Sequence, residues 1–291
     1  MTVGAAVLMK QWQWLMGLAV LVAGCQTGCK SIDVVQDGGF RVGQALTQNQ
    51  PAPVLSPEYG KAFTVDNAYA IQRLAIGQVT QGRRVVGYKA GLTTPAAQQQ
   101  YAANQPVAGV LLPGSEIVGS EDGYQVLLKS FRKPLVEVEL GYRLMRRVTV
   151  PVPDVAALKE IVGEIAPVIE LPDLVTAGNT LPNALDLIAT NVGAKRVIVG
   201  PGRAPSLTDP NAIHVDVYRE GELVNAGDSR AVLGDQWQAL LWLVNRTVAT
   251  GWAIEPGQLL ITGSIGKAVP LQTGLYVADY GDFARLEFTV E

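Results

Sequence analysis

Residues 134–142 read Pro134-Leu135-Val136-Glu137-Val138-Glu139-Leu140-Gly141-Tyr142. Two carboxylates stand two positions apart inside an apolar run. Side chains of a β-strand alternate between faces. Leu135, Glu137, Glu139 and Gly141 then share one face, and Val136, Val138, Leu140 and Tyr142 share the other, which reads as core. A rise of about 3.3 Å per residue spaces the two glutamates roughly 6–7 Å apart along the strand. Like charges at that range repel unless something holds them. Two readings meet that condition. The pair faces water on a half-buried strand, or its oxygens hold a hard divalent cation such as Mg²⁺. The dipeptide alone leaves both open.

Around this strand the pattern predicts a helix over Thr64–Leu74, with Thr64 as N-cap, and a short strand over Val85–Lys89. A turn at Ala90–Thr94 leads to a helix from Pro95 through Gln100. A helix over Val155–Ile165 precedes a second strand, Ala166–Glu170, that also ends in a carboxylate. Ile213–Tyr218 and Leu223–Val224 form a hairpin, Gly234–Ala249 a Trp- and Leu-rich helix, and Leu259–Ile261 a strand entering the loop Thr262–Gly266. Strands over Pro270–Gly274 and Arg285–Val290 close the chain. The βαβα rhythm of a doubly wound sheet is missing, so the class is α+β.

The chain has 291 residues, 48% hydrophobic and 17% charged, enough apolar material for a sizeable core. A net charge of −3 without a basic cluster argues against a nucleic-acid partner. His214, the only histidine, lies in an alternating strand and reads as structural.

The N-terminal region has a different character. Met9-Lys10 reads as a basic start, followed by an apolar run over Leu15–Gly24 that is short for a membrane span. Val22-Ala23-Gly24-Cys25 resembles the bacterial lipobox, whose cysteine is lipidated and becomes the mature first residue. Cys29, preceded by Gln26-Thr27-Gly28, fits poorly. These features predict a signal peptide over 1–24 and a lipid anchor at Cys25, with the body facing the periplasm. Gln26 rather than Asp after the cysteine favours the outer membrane. The body then carries no cysteine and no disulfide framework. Residues 30–60, rich in Gln, Pro, Gly and Ser, complete a tether over 25–60, leaving 61–291 as the catalytic body.

One resemblance links the carboxylates to other parts of the chain. It rests on Ala68-Tyr69-Ala70-Ile71-Gln72, then Val86-Gly87-Tyr88-Lys89-Ala90-Gly91-Leu92-Thr93, then Gln105-Pro106 with Gly109. Glu137-Val138-Glu139, Pro167-Val168-Ile169-Glu170 and Ile261-Thr262-Gly263 follow in order. Each piece is weak, but over residues 62–291 the ordered set resembles the hydratase and decarboxylase branch of the fumarylacetoacetate hydrolase superfamily. That resemblance implies a mixed β-sheet roll with flanking helices: a helical entry over 61–110 and the roll over 111–291. It implies Mg²⁺ or Mn²⁺ held by Glu137, Glu139 and Glu170, with Lys89 as catalytic lysine and Thr262, Gly263 and Ser264 against the substrate. The implied activity is a lyase acting on a small 2-keto acid or 2-hydroxydienoate, by hydration or decarboxylation. A homo-oligomer is compatible with it.

The departures bear on the reaction. The family's hydratases carry an acid after Gln-Pro, where this chain has Val107, as its decarboxylases have an apolar residue; Val107 therefore leans away from hydration. Ala189-Thr190-Asn191 lacks the acid of the family's Ala-Asp-Asn, and Gly234-Asp235-Gln236 replaces Gly-His-Pro. Two other readings stay open: a divergent, non-catalytic envelope lipoprotein that binds a small acid, and a purely structural one.

Overall fold

The computed structural model describes residues 33–291 apart from Asp122. Cys25, Cys29 and the signal peptide expected over 1–24 lie outside the described residues. Asp33 caps the first helix, α1 (Val34–Thr47), by accepting from the Val35 and Gln36 N–H groups. Here the tether reading needs correction. Gly38, Gly39 and Gly43 are buried against the long helix α3 (Val65–Thr80), which follows the short α2 (Ser56–Tyr59). A methyl at Gly38 would come within 2.6 Å of Ile71 Cδ1, and one at Gly39 within 2.8 Å of Leu74 Cβ. Glycine inside a helix costs about 1 kcal/mol relative to alanine, and close packing of the two axes offsets it. Composition that reads as a linker is an interface.

The next elements are β1 (Gly87–Gly91), α4 (Pro95–Gln100), β2 (Val107–Leu111), β3 (Glu116–Ile117) and β4 (Tyr124–Val126). The segment 61–110 is therefore not only a helical entry, since it supplies two strands of the main sheet. After β5 (Leu135–Leu144), α5 (Val155–Lys159) stops six residues short of the helix end expected at Ile165. The chain turns into β6 (Val162–Leu171), a ten-residue strand paired antiparallel with β5. Val162, Ile165, Val168 and Ile169 fit the pleat, where β-branched side chains pack well. The rest runs α6 (Ala184–Ala189), β7 (Arg196–Val199), β8 (His214–Arg219), β9 (Glu222–Asp228) and α7 (Gln236–Ala249). It closes with β10 (Leu259–Ile261), β11 (Ile265–Pro270), β12 (Gly274–Asp279) and β13 (Arg285–Val290). Of Pro270–Gly274, expected as a strand, Pro270 closes β11 and Gly274 opens β12, while residues 271–273 link the two. Glu220 and Gly221 both have positive φ, the type I′ geometry that joins β8 to β9.

Among the described residues the strands form two sheets. The larger runs β2-β1-β10-β5-β6-β7-β3, with β11 also on β5, and mixes parallel and antiparallel pairs. The smaller runs β4-β13-β12-β8-β9. This is the expected α+β roll. Val136, Val138, Leu140 and Tyr142 are buried in the main core, as the alternation predicts. The other face of β5 is not wet. It meets a second apolar cluster of Leu111, Val168, Val197, Leu259 and Ile261.

Strand β2 is a sheet edge, whose outward N–H and C=O groups need partners when buried. Three side chains supply them. Tyr69 Oη accepts from Ala108 N (3.0 Å), and Gln72 Nε2 donates to Ala108 O (2.9 Å). Asn191 accepts from Val110 N (2.7 Å) and donates to Val110 O (2.9 Å). Among the described residues no helix is long and apolar enough to cross a membrane.

Candidate metal centre

The β5–β6 register places Glu137 directly opposite Glu170, with Glu139 opposite Val168 on the same face. One carboxylate oxygen from each of the three glutamates falls within 4.8 Å of the others. Glu139 and Glu170 are fully buried and Glu137 is part-exposed, so the cluster opens on the Glu137 side. The solvated-face reading of the glutamate pair is overturned by this burial.

The two buried carboxylates each use one oxygen. Glu139 Oε2 accepts from Gly263 N (2.7 Å), while Glu139 Oε1 has no partner among the described residues. Glu170 Oε1 accepts from Lys89 Nζ (2.5 Å), while Glu170 Oε2 has no hydrogen-bond donor among the described residues. A buried oxygen left without a donor is costly. Two such oxygens beside a third carboxylate form the all-oxygen donor set that suits a hard divalent cation. The residues present thus fit the ion: Glu137, Glu139 and Glu170 would hold it.

Without the ion, burial pushes the Glu137 carboxyl up to about 7, and the Glu170 charge adds to this while Lys89 opposes it. Burial also pushes Glu139 well up, reinforced by Glu170 and Glu137. Burial works against the charge on Lys89, but Glu170, Glu137 and Glu139 outweigh it and hold the ammonium protonated. Lys89, 2% exposed, reaches Glu170 from β1. Its stem passes over Gly109, where a Cβ would come within 3.0 Å of Lys89 Cγ. The Lys89 ammonium also donates to Val192 O (3.2 Å).

Of the three loop residues expected against the substrate, Gly263 stands at the carboxylates through its N–H. Its φ of +115° suits glycine, and a methyl there would overlap Thr93 Oγ1. Ser264 Oγ is shielded and has no partner among the described residues. Thr262 differs from expectation. Its hydroxyl donates to Gln236 Oε1 (2.7 Å) and is committed inside the fold. Gln236 also receives Tyr142 Oη (3.1 Å) and donates to Ser229 O (2.8 Å), locking the loop to α7. Val107 is buried, and its Cγ2 lies 3.4 Å from where a Gly91 Cβ would stand, so it walls the Lys89 face with carbon. His214 is exposed, with its ring nitrogens at Asp228 (2.7 Å) and Asp216 (3.3 Å).

Of residues 191–193, only Asn191 falls in a motif of the sequence, next to the Thr190 that replaces the family's acid. Asn191, Val192 and Gly193 all have positive φ, of 62°, 52° and 64°. A β-branched residue there costs about 1–3 kcal/mol. No periodicity signals such a turn. Asp186 carries no local sequence signal either. It is fully buried and accepts from Leu55 N (2.7 Å), Ser56 N (2.9 Å), Ser56 Oγ (2.6 Å) and Asn183 N (3.1 Å).

No protein-family model matches the chain. Among solved structures, 4-oxalocrotonate decarboxylase from Pseudomonas putida G7, complexed with magnesium and adipate, superposes with a TM-score of 0.79. The match is 21% identical and covers 88% of this chain and 97% of that one, so the two chains share a fold. Sequence relatives carry the assignment further. The 2-keto-4-pentenoate hydratase 1 of Dechloromonas aromatica (strain RCB) is 31% identical over 212 residues, 72% of this chain and 79% of its own. A 4-oxalocrotonate decarboxylase of a Pseudomonas species is 30% identical over 240 residues, 81% and 90% of the two chains. The chain belongs to the 2-keto-4-pentenoate hydratase and 4-oxalocrotonate decarboxylase branch of the fumarylacetoacetate hydrolase superfamily.

Proposed function

We propose that the protein is a divalent-metal-dependent lyase acting on a small 2-keto acid or its 2-hydroxydienoate form. The observation that carries this reading is the pair of unpartnered oxygens, Glu139 Oε1 and Glu170 Oε2, within a three-carboxylate cluster that touches a buried lysine. Names of relatives at 30% identity or above, a hydratase and a decarboxylase, support the same class.

Glu137, Glu139 and Glu170 would hold Mg²⁺ or Mn²⁺. When bound, such an ion draws electron density from the carboxylate and keto oxygens of a 2-keto acid. The chain's own groups do the rest. Gly263 N–H fixes Glu139 through one oxygen and leaves the other free. Lys89, kept protonated by its carboxylate neighbours, is the proton donor at Nζ. Val107 has no proton to give, which favours carbon–carbon cleavage with loss of CO₂ over addition of water. A purely structural reading would need Lys89, Glu139 and Glu170 buried beside the part-exposed Glu137 without use.

The test is calorimetric titration of the purified chain with Mg²⁺ and Mn²⁺, with Glu137→Ala as control, followed by assay on a panel of 2-keto acids. Metal binding abolished in the control, with turnover of one panel member, is the expected result. A wild-type chain that binds neither ion would end the lyase reading, and one that binds without turnover would favour the acid-binding role.

We also propose that Cys25 anchors the protein by lipid to the cell envelope, periplasm-facing and at the outer membrane. Support comes from Val22-Ala23-Gly24-Cys25 after an apolar run. Labelling with a clickable fatty acid in a Gram-negative host, lost in Cys25→Ser, is the expected outcome. Labelling that persists in the variant would refute it.

A further inference from the structure

A buried ammonium has three N–H donors and needs three acceptors. Lys89 finds two among the described residues: Glu170 Oε1 and Val192 O. The third donor is left for whatever enters the site. Where it points depends on the two acceptors that fix the others, and one of these belongs to the left-handed turn at 191–193.

We propose that the turn Asn191-Val192-Gly193 is a positioning element that sets the direction of the Lys89 ammonium, with Asn191 as its anchor. The inference rests on the lyase reading above and adds residues to it.

Four observations carry it. Val192 holds a left-handed conformation that its branched side chain disfavours, so its neighbours impose the geometry. Asn191 imposes it through both amide atoms, tied to the N–H and C=O of Val110. A backbone bond from Asp173 N to Gly193 O (2.9 Å) holds the turn from the other side, and one from Ala194 N to Asn191 O (3.0 Å) closes it. Finally, the turn is fitted to the lysine. A Cβ on Gly91 would come within 2.8 Å of Val192 Cγ1, and one on Gly109 within 3.0 Å of both Asn191 O and Lys89 Cγ. The two glycines make room for the turn on one side and the lysine stem on the other.

A control for the test is built into the fold. Asn245 grips Val152 in the same way, accepting from Val152 N (2.7 Å) and donating to Val152 O (2.9 Å), on α7 and away from the carboxylates. Asn191→Ala and Asn245→Ala therefore lose matched hydrogen bonds. The probe is oxalate, a two-carbon diacid that mimics an enolate, titrated into the full chain at saturating Mg²⁺. Asn191→Ala should weaken oxalate about tenfold or more, the scale of one charge-assisted hydrogen bond, approaching the loss in Lys89→Met. Its Mg²⁺ affinity should stay within threefold of the unaltered chain. Asn245→Ala should bind oxalate unchanged. Gly91→Ala displaces the turn without touching its hydrogen bonds and should reproduce the oxalate loss, which covers the case in which Asn191→Ala does not fold. Equal losses in the two asparagine variants, or oxalate affinity kept in both Asn191→Ala and Gly91→Ala, would overturn the proposal. An unaltered chain that binds no Mg²⁺ would overturn the lyase reading itself, and this proposal with it.

Discussion

Glu137 and Glu170 face each other across the β5–β6 pair, two like charges at directly opposed positions of one ladder. Such pairs destabilise a sheet, and burial of Glu170 makes this one worse. Lys89 offsets part of the repulsion through its contact with Glu170. The remainder must be met by a proton or by a cation.

The competition between proton and cation fixes a pH dependence. The Glu137 carboxyl rises from 4.5 to about 7 on folding, chiefly through burial. The folded chain therefore binds more protons than the unfolded one in that interval, and stability falls as pH rises through it. Glu139 moves in the same direction. Metal-free protein should melt at a lower temperature at about pH 8 than at about pH 5. Added Mg²⁺ displaces the protons, so its stabilising effect should grow with pH. Thermal melts in EDTA and in Mg²⁺ at the two pH values check this. An Mg²⁺ effect that is the same at both would contradict it.

Lys89 and the ion both neutralise the same carboxylates, so removing the lysine should have opposite effects on two quantities. Lys89→Met strips a buried partner from Glu170, which costs about 3–5 kcal/mol when charges stay ionised, and less at pH 5. With its rival cation gone, the three-carboxylate site should bind Mg²⁺ at least as tightly as before, while turnover is lost. Denaturant unfolding and calorimetry measure the two. A tenfold weaker Mg²⁺ affinity would show that Lys89 assists the ion instead of competing with it.

Strand alternation was enough to place Glu137 and Glu139 on one face, because period-two geometry is local. Glu170 could be joined to them only by family resemblance, since register between strands is a tertiary fact. The same limit hid Asn191, Gln72 and Tyr69. Their task is to satisfy the edge of β2, and nothing in their local sequence names that strand. The glycines of α1 misled for a different reason. Gly38, Gly39 and Gly43 lower helix propensity and read as linker until the surface of α3 is known. Thr262 was placed against the substrate by its motif, but Gln236, 26 residues before it in sequence, takes up its hydroxyl.

Gly263 couples the loop to the metal ligands through one N–H. Gly263→Ala adds a methyl at a φ of +115° that overlaps Thr93 Oγ1, so the loop must shift and Glu139 loses its donor. The strain alone is about 1–3 kcal/mol. Mg²⁺ affinity should fall about tenfold, because Glu139 is no longer held with its free oxygen on the cluster. Thr93→Ala in the same chain removes the obstructing hydroxyl and should restore part of that loss. If Gly263→Ala binds Mg²⁺ as tightly as the unaltered chain, the N–H does not orient the ligand.

Asp186 joins the N-terminal segment to the body far from the metal ligands in function. Its carboxylate satisfies the N–H groups of Leu55 and Ser56 at the start of α2, and it closes the capping box of α6 with Asn183. Asp186→Ala leaves buried donors without acceptors, at about 1–3 kcal/mol for each one that water cannot reach. The expected outcome is a loss of at least about 2 kcal/mol in denaturant unfolding, with new protease cleavage between α1 and α3. Mg²⁺ affinity should change less than twofold, since no ligand touches Asp186. A tether would behave otherwise: if residues 48–60 were only a linker, the unaltered chain would already be cut there and the variant would change nothing.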